Sequence, residues 1–483
     1  NAPADLFKSV RAVVVMVRHT TAEARALLDI PSVCEAEKWI AVFGGCDLED
    51  HPMRVLTGSD RPCGVKIPAG NIDRLRRALA EPEALSDRRL PLSMSSAARN
   101  IESNPNGAKV RRVRGAAGSG KSLGLAARAA LLASQGKRVL VVTYNATLPQ
   151  YLHELAARRC NELKANVHDI TFMHLHDFAS RVCDDARAEH VQLMSSELFP
   201  DKYDEVIDRA ADAYRKQIGP KFDAILVDEG QDFSLKWWNI LRQHALVPGG
   251  EMLLVADPTQ DLYGKKAWTD EEKMSGAGFS GPWTEVSGSY RMPPDLIPVV
   301  AGFAAKHVDG ARVDPDVPSD HPLLAAPYEP TVRRWVNLER GMSPGRALGL
   351  EVVQLLKDNP DLSPGDVVFL TSSHRVGLQA VRVIAEASLP VQHLFSEDPS
   401  KRGRLKRQFS PTAPGVKGCT VHSFKGWESR AVVLEVSSMP ESHRLAYVGL
   451  TRVKGDLAHR AAYVTVVNSD AQLRGFRDQF VAS

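Results

Sequence analysis

The amino-acid sequence predicts an α/β protein: two domains with parallel sheets, preceded by a small α/β domain. Three observations carry this. Apolar runs of strand length alternate with amphipathic helical runs, first from about residue 110 and again from about residue 285. A glycine-rich stretch, Gly115–Ser122, stands between a strand pattern and a helical pattern. A polar stretch containing Pro and Ser, Pro82–Ser96, sets residues 1–92 apart as a compositional unit.

The elements follow in order. In residues 1–92, Val10–Val17 reads as a strand and Thr21–Asp29 as a helix. Asn71–Glu81 places Ile72, Leu75 and Leu79 on one helical face. Val110 and Val113 begin a strand, and Arg138–Asn145 forms the next. Segment 147–219, rich in Ala, His and charge, reads as helical. Strands follow at Ala224–Val227 and Met252–Ala256. Beyond residue 285 come helices Leu348–Asp358 and Val376–Ala387, and strands Asp366–Ser373, "GCTVHS" and "AVVLEV". Strands alternating with helices imply parallel sheets covered on both faces. The expected division is 1–92, 93–284 with a helical insertion at about 147–219, and 285–483.

Bulk properties set limits. The 483 residues are 43% hydrophobic and 25% charged, ordinary for a globular protein. Lys and Arg number 61 against 58 Asp and Glu, a net charge of +3 that neither demands nor excludes a nucleic-acid partner. No apolar run reaches the roughly 18 residues of a membrane helix, so no membrane partner is expected. The start lacks the layout of a signal peptide. The six cysteines are scattered with no C-x-x-C pair, which favours reduced thiols and a cytoplasmic location over a metal site.

"GAAGSGKS" is the G-x-x-x-x-G-K-[ST] pattern in its required strand–loop–helix context. Gly115, Gly118, Ser119 and Gly120 let backbone N–H groups turn toward phosphate oxygens, and the helix N-terminus adds partial positive charge. Lys121 is expected to reach the β- and γ-phosphates, and Ser122 to ligate Mg²⁺. In "AILVDEGQDF" an apolar strand ends in acids. A solvated loop would explain them. Beside a phosphate loop, Asp228 would hold Mg²⁺ and Glu229 would deprotonate the attacking water. Both stretches lie at carboxyl ends of strands, where open α/β sheets bind ligands.

The cluster D-E-x-Q-D, completed by Gln231 and Asp232, resembles the second motif of superfamily 1 helicases of the UvrD/Rep type. Further stretches resemble the rest of that set in order: "VVTYNATL", "TFMHLHDFASRV", "VADPTQDLYG", "SGSYRM", "TVHSFKGWES" and "YVGLTRVK". The resemblance implies two RecA-like P-loop NTPase domains with ATP between them. It implies Gln260 as a γ-phosphate sensor, Tyr290 as an adenine-stacking ring, and Glu428 at the ribose. Arg291 and Arg452 would be arginines reaching the phosphate. A strand crossing both domains would meet Tyr144, Asn145, His176, Tyr263, Trp268 and His422. The rings of Phe172 and Phe424 are open between strand contact and core, whereas Trp237 and Trp238 read as packing. "SKRGRLKRQF" is either a solvated loop or a phosphate-backbone contact.

"RGAAGSGKS", "TYNATLPQYL", "DEGQDFSLKWW" and "HSFKGWE" also resemble bacterial helicases with an N-terminal nuclease-related (NERD) domain. Residues 1–92 would then be the back half of such a domain, although they lack its D/E-x-K signature; Lys66 in "CGVK" has no acid partner. A nuclease domain or subunit is therefore an expected partner. Two departures stand out: no Gln precedes the phosphate loop to read adenine, and the large second insertion of UvrD-type enzymes is missing. The implied function is an ATP-dependent translocase or helicase on single-stranded DNA, moving 3′ to 5′, in a setting such as DNA repair or phage defence. The alternatives are an RNA-directed or nucleoprotein-remodelling ATPase without unwinding, or an ATP-switched nucleic-acid-binding regulatory module. Intact Glu229, Arg291 and Arg452 favour turnover over a passive switch.

Overall fold

The computed structural model describes residues 12–16, 22, 40–44, 92–189, 202–257, 260, 269, 274–279, 281–308, 315–398, 401–402, 405–406, 409, 414–439, 441–456, 458 and 460–481. The chain divides into two compact units, Asn1–Glu81 and Pro82–Ser483. In the first, β1 (Ala12–Met16) and β2 (Ile40–Gly44) pair in parallel, Ala12 opposite Ile40. The helix expected at Asn71–Glu81 lies outside the described residues, as does Lys66.

The second unit holds two six-stranded sheets, and every strand pairing in both is parallel. The first runs in the order β5-β4-β6-β7-β3-β8: β3 is Val110–Gly115, β4 Val139–Thr143, β5 Ile170–His174, β6 Phe222–Asp228, β7 Leu246–Ala256 and β8 Thr284–Val286. Its helices are α1 (Ser96–Ser103), α2 (Lys121–Ser134), α3 (Leu148–Leu163), α4 (Leu175–Ala188), α5 (Lys202–Arg215) and α6 (Leu235–Ile240). The second runs β11-β12-β10-β13-β14-β9: β9 is Val332–Asn337, β10 Val367–Thr371, β11 Val391–His393, β12 Val416–Thr420, β13 Ala431–Val436 and β14 Tyr463–Asn468. Around it lie α7 (Ile297–His307), α8 (Pro344–Asp358), α9 (His374–Glu386), α10 (Val421–Phe424), α11 (Ser442–Leu450) and α12 (Phe476–Val481).

Strand periodicity explains the layering. Along β6, Ala224 and Leu226 enter one apolar core and Ile225 and Val227 the other. β10 divides likewise, Val368 and Leu370 against Val367 and Phe369. A strand apolar on both sides must be covered on both faces, and parallel crossovers supply the helices.

Segment 147–219 is not helical throughout. It contains β5, whose Ile-Thr-Phe run adds an edge strand beside β4, with only Ile170 fully buried. "GCTVHS" is strand only as far as Thr420. There the Thr420 hydroxyl caps a short helix by accepting from the Ser423 amide. Phe424 is core.

The phosphate-loop helix α2 is anchored by charge. Arg128 donates to both carboxylate oxygens of Glu251 on β7, at 3.0 and 2.5 Å, and to the Glu102 carbonyl at 2.9 Å. Arg111 lies 3.7 Å from the same carboxylate. Burial pushes its guanidinium down to about 10, opposed by Glu251 and reinforced by Arg128. Removing the shared anion would leave two buried cations. Glu251→Ala should therefore lower the unfolding free energy by about 3–5 kcal/mol in urea titration. A change below about 1 kcal/mol would mean the site is solvated like a surface pair.

Candidate active site

Strand β3 ends at Gly115, which packs where a Cβ would fall 2.3 Å from the Val286 carbonyl oxygen. Gly118 and Gly120 take φ of +80° and +85°, the left-handed region that L side chains rarely enter. The Gly118 carbonyl accepts from Tyr290 N–H at 2.9 Å, tying the loop to the segment after β8. Lys121 Nζ donates to the carbonyls of Gly115 and Ala116, both at 2.7 Å, and stands 3.9 Å from Asp257. Burial lowers its pKa, opposed by Asp257, Glu229 and Asp228.

The acids arrive at the end of β6. Asp228 pairs in register with Thr143 and is 2% exposed. Its Oδ1 accepts from the Glu229 amide at 2.9 Å, while Oδ2 is buried without a hydrogen-bond partner. Burial and the Glu229 charge push the carboxyl up to about 6, against the Ser122 hydroxyl, the Glu229 amide and Lys121. A buried carboxylate oxygen without a partner, facing a loop hydroxyl, fits a hard oxygen-seeking cation such as Mg²⁺. Among the described residues no group of three or more His, Cys, Asp or Glu could hold a metal by itself. Ser122 and Asp228 would therefore share an ion with phosphate oxygens.

Glu229 sits at φ 56°, ψ 45°, a strained setting for a non-glycine residue of the kind that gathers at active sites. Gly230 behind it rests on Leu254, where a Cβ would overlap at 2.4 Å. Burial alone would raise the Glu229 pKa, but Lys425, Lys121 and Arg452 outweigh it and hold it below the ordinary value. Gln231 links the acids to the end of β7: its Nε2 donates to Glu229 at 2.5 Å, and its Oε1 accepts from Asp257 N–H at 2.9 Å. Gln260 continues the chain, donating to Asp257 at 2.5 Å and accepting from Arg452 at 2.9 Å.

The opposite wall holds the arginines. Arg452, 1% exposed, also donates to the carbonyls of Val448 and Trp427 and to the Thr451 hydroxyl. Burial and Arg291 push it down to about 10, against Glu229 and Asp257. Arg291 Nε contacts Glu428 at 2.8 Å, and Lys454 takes the other Glu428 oxygen at 3.0 Å. Burial would raise Glu428, but these two cations hold it at about 2. Tyr290 stacks on His321 at 9°, with its hydroxyl 3.3 Å from Ser96 Oγ. One cleft of about 740 Å³ is lined by Gly118–Ser122, Glu229, Gln260, Tyr290, Arg291, Glu428 and Arg452. That volume suits a nucleotide-sized ligand.

The expected strand contacts fare differently. Tyr144 stands at the end of β4, stacked on Trp237 at 5.7 Å. His176, 7% exposed, is enclosed by Tyr144, His174 and Trp237. The Asn145 amide is turned to protein, donating to the Lys425 carbonyl at 2.8 Å and accepting from Thr147 N–H at 3.2 Å. The His176 and Asn145 side chains are thus both engaged in internal contacts. His422 is half-buried, with its pKa lowered by burial and by Lys425 and Lys406 against Glu441. Tyr263 and Trp268 lie outside the described residues.

Residues that sequence reasoning passed over complete the site. Asp257 lies at the end of β7 as Asp228 does at β6, a positional signal already present in "VADPTQ". Lys425 and Lys454 lie inside "TVHSFKGWES" and "YVGLTRVK".

A parallel sheet with a glycine-rich loop at the end of β3 and acids at the end of β6, with β7 between the two strands, defines a P-loop NTPase domain. Residues 96–262, from α1 to just past β7, match the family model described as an AAA domain. Comparison with curated proteins gives no match. Among the described residues no helix is long and apolar enough to cross a membrane.

Gly118 generates a prediction. An alanine Cβ there would sit 2.3 Å from Ser289 Oγ, on top of the unfavourable φ. Gly118→Ala should weaken binding of a fluorescent ATP analogue about 10-fold or more, with the melting temperature lowered by only a few degrees. Unaltered affinity would mean that this loop does not cradle the phosphates.

Proposed function

We propose that the protein is an ATP-driven translocase on single-stranded nucleic acid, DNA in the first instance, moving 3′ to 5′. The observation that supports it most is the convergence of Lys121, Glu229 and Gln260 with Arg291 and Arg452 on one cleft. The ordered motifs supply the nucleic-acid half of the reading.

ATP would lie along the phosphate loop with its base against Tyr290 and its ribose near Glu428. Lys121 exchanges its two carbonyl partners for phosphate oxygens. Ser122 and Asp228 would hold Mg²⁺, which when bound offsets phosphate charge. Glu229, held anionic, accepts the proton of the attacking water. Arg291 and Arg452 stabilise the charge spreading over the transferring phosphoryl group, an effect worth roughly 10³–10⁵ in rate. Gln260, bonded to Asp257 on one side and Arg452 on the other, carries the state of the phosphate across the cleft. Loss of the phosphate removes the bridge between arginines and acids, the cleft relaxes, and alternating grip on the strand yields steps.

Phosphate release should be stimulated by single-stranded DNA, and more weakly by RNA; hydrolysis indifferent to either would overturn the motor reading. Glu229→Gln should keep ATP affinity while kcat falls by about 10²-fold or more. Arg452→Ala should lower kcat by about 10³-fold, and wild-type turnover in that variant would remove the arginine from the reaction. Unwinding of duplexes tailed on one strand or the other reads the polarity; activity only on 5′-tailed substrates would reverse it.

A further inference from the structure

The loop that follows β12 does more than line the cleft. Lys425, 1% exposed, points out of the second sheet's loop into the acids of the first. Its Nζ lies 2.7 Å from Asp232 Oδ2 and 3.4 Å from Glu229 Oε2. The same loop is gripped from the first sheet by its backbone. Asn145 donates to the Lys425 carbonyl, and Thr147, 3.0 Å from the Ser423 carbonyl, accepts from Trp427 Nε1 at 2.8 Å. His422, an expected strand contact, lies in α10, three residues before Lys425. A displacement of the loop therefore moves the ammonium relative to Glu229, and nothing longer than one side chain intervenes.

The geometry points to Lys425 as the positioning residue through which strand engagement sets the general base: it orients Glu229 when the loop is seated and releases it when the loop is displaced. This rests on the reading of Glu229 as the base of an NTPase and adds the route by which a strand controls it. Asp232 is the anchor. Its closer contact, at 2.7 Å, fixes the ammonium so that the longer contact can steer Glu229. An aliphatic replacement removes both contacts. Arginine restores charge and reach with a planar head of different geometry.

The test is steady-state ATP hydrolysis by the full chain, with and without saturating oligo(dT). In Lys425→Met, kcat with oligo(dT) should fall by about 10²-fold, the KM for ATP should stay within about threefold, and the stimulation ratio should collapse toward one. Lys425→Arg should recover part of both kcat and the ratio. Asp232→Asn, which leaves Glu229 and Lys425 in place, should lower the ratio with the same KM-against-kcat split, and serves if the methionine variant does not fold. A preserved stimulation ratio in Lys425→Met or Asp232→Asn would overturn the proposal. A loss expressed in KM, or no recovery by arginine, would equally reduce Lys425 to a packing role. Wild-type protein without nucleotide hydrolysis would instead overturn the NTPase reading beneath it.

Discussion

One ammonium group, that of Lys425, lies where water barely reaches, and its counter-charges come from the other sheet. Taking such charges out of water costs several kcal/mol each unless partners are close and well aligned. Asp232 and Glu229 are those partners, at 2.7 and 3.4 Å. Arg452 repeats the pattern, reaching across to Gln260 beside Asp257. Neither sheet's loops are electrostatically complete alone. The meeting of the two sheets and the completion of the site are one event, which is why a ligand carrying several negative charges could bias it.

The backbone makes that meeting close enough. Gly426, at φ +88°, lets its loop settle where a Cβ would be 2.4 Å from Leu148, the first residue of α3. Leu148 thereby joins the apolar core of the second sheet, alongside Phe424 and Trp427. Gly230 does the same at the end of β6, and Glu229 accepts a left-handed backbone beside it. Side-chain volume is given up where chain segments must touch, and the left-handed backbone falls on Glu229, at the cleft.

The site's cations are held by groups that a phosphate can replace. Lys121 bonds to its own loop carbonyls, and Arg452 gives most of its donors to carbonyls and a hydroxyl. Arg291 differs, since Glu428 and Lys454 form a charged group around it. A nucleotide entering this cleft meets donors already pointed inward, which lowers the reorganisation needed at the moment of reaction.

Much of this was legible in the chain because it is local. Continuous apolar runs of strand length specify strands such as β6, β10 and β13, and both faces of each are apolar, so a parallel sheet with helices on both sides follows. The glycine-rich loop and the acids after β6 sit at strand ends by sequence order alone. Other features depended on neighbours. β5 reads as part of a helical segment because four of its five residues are half-exposed at an edge, and β4 beside it decides its state. Asn145 and His176 sit in motifs that suggest a strand contact, yet their partners, Lys425 and Trp237, are far away in sequence. Sequence by itself determined the sheet class, the phosphate loop and the acids. Only the tertiary structure decided which buried charge answers which, because such pairing depends on distances of a few ångströms between residues that local spacing does not relate.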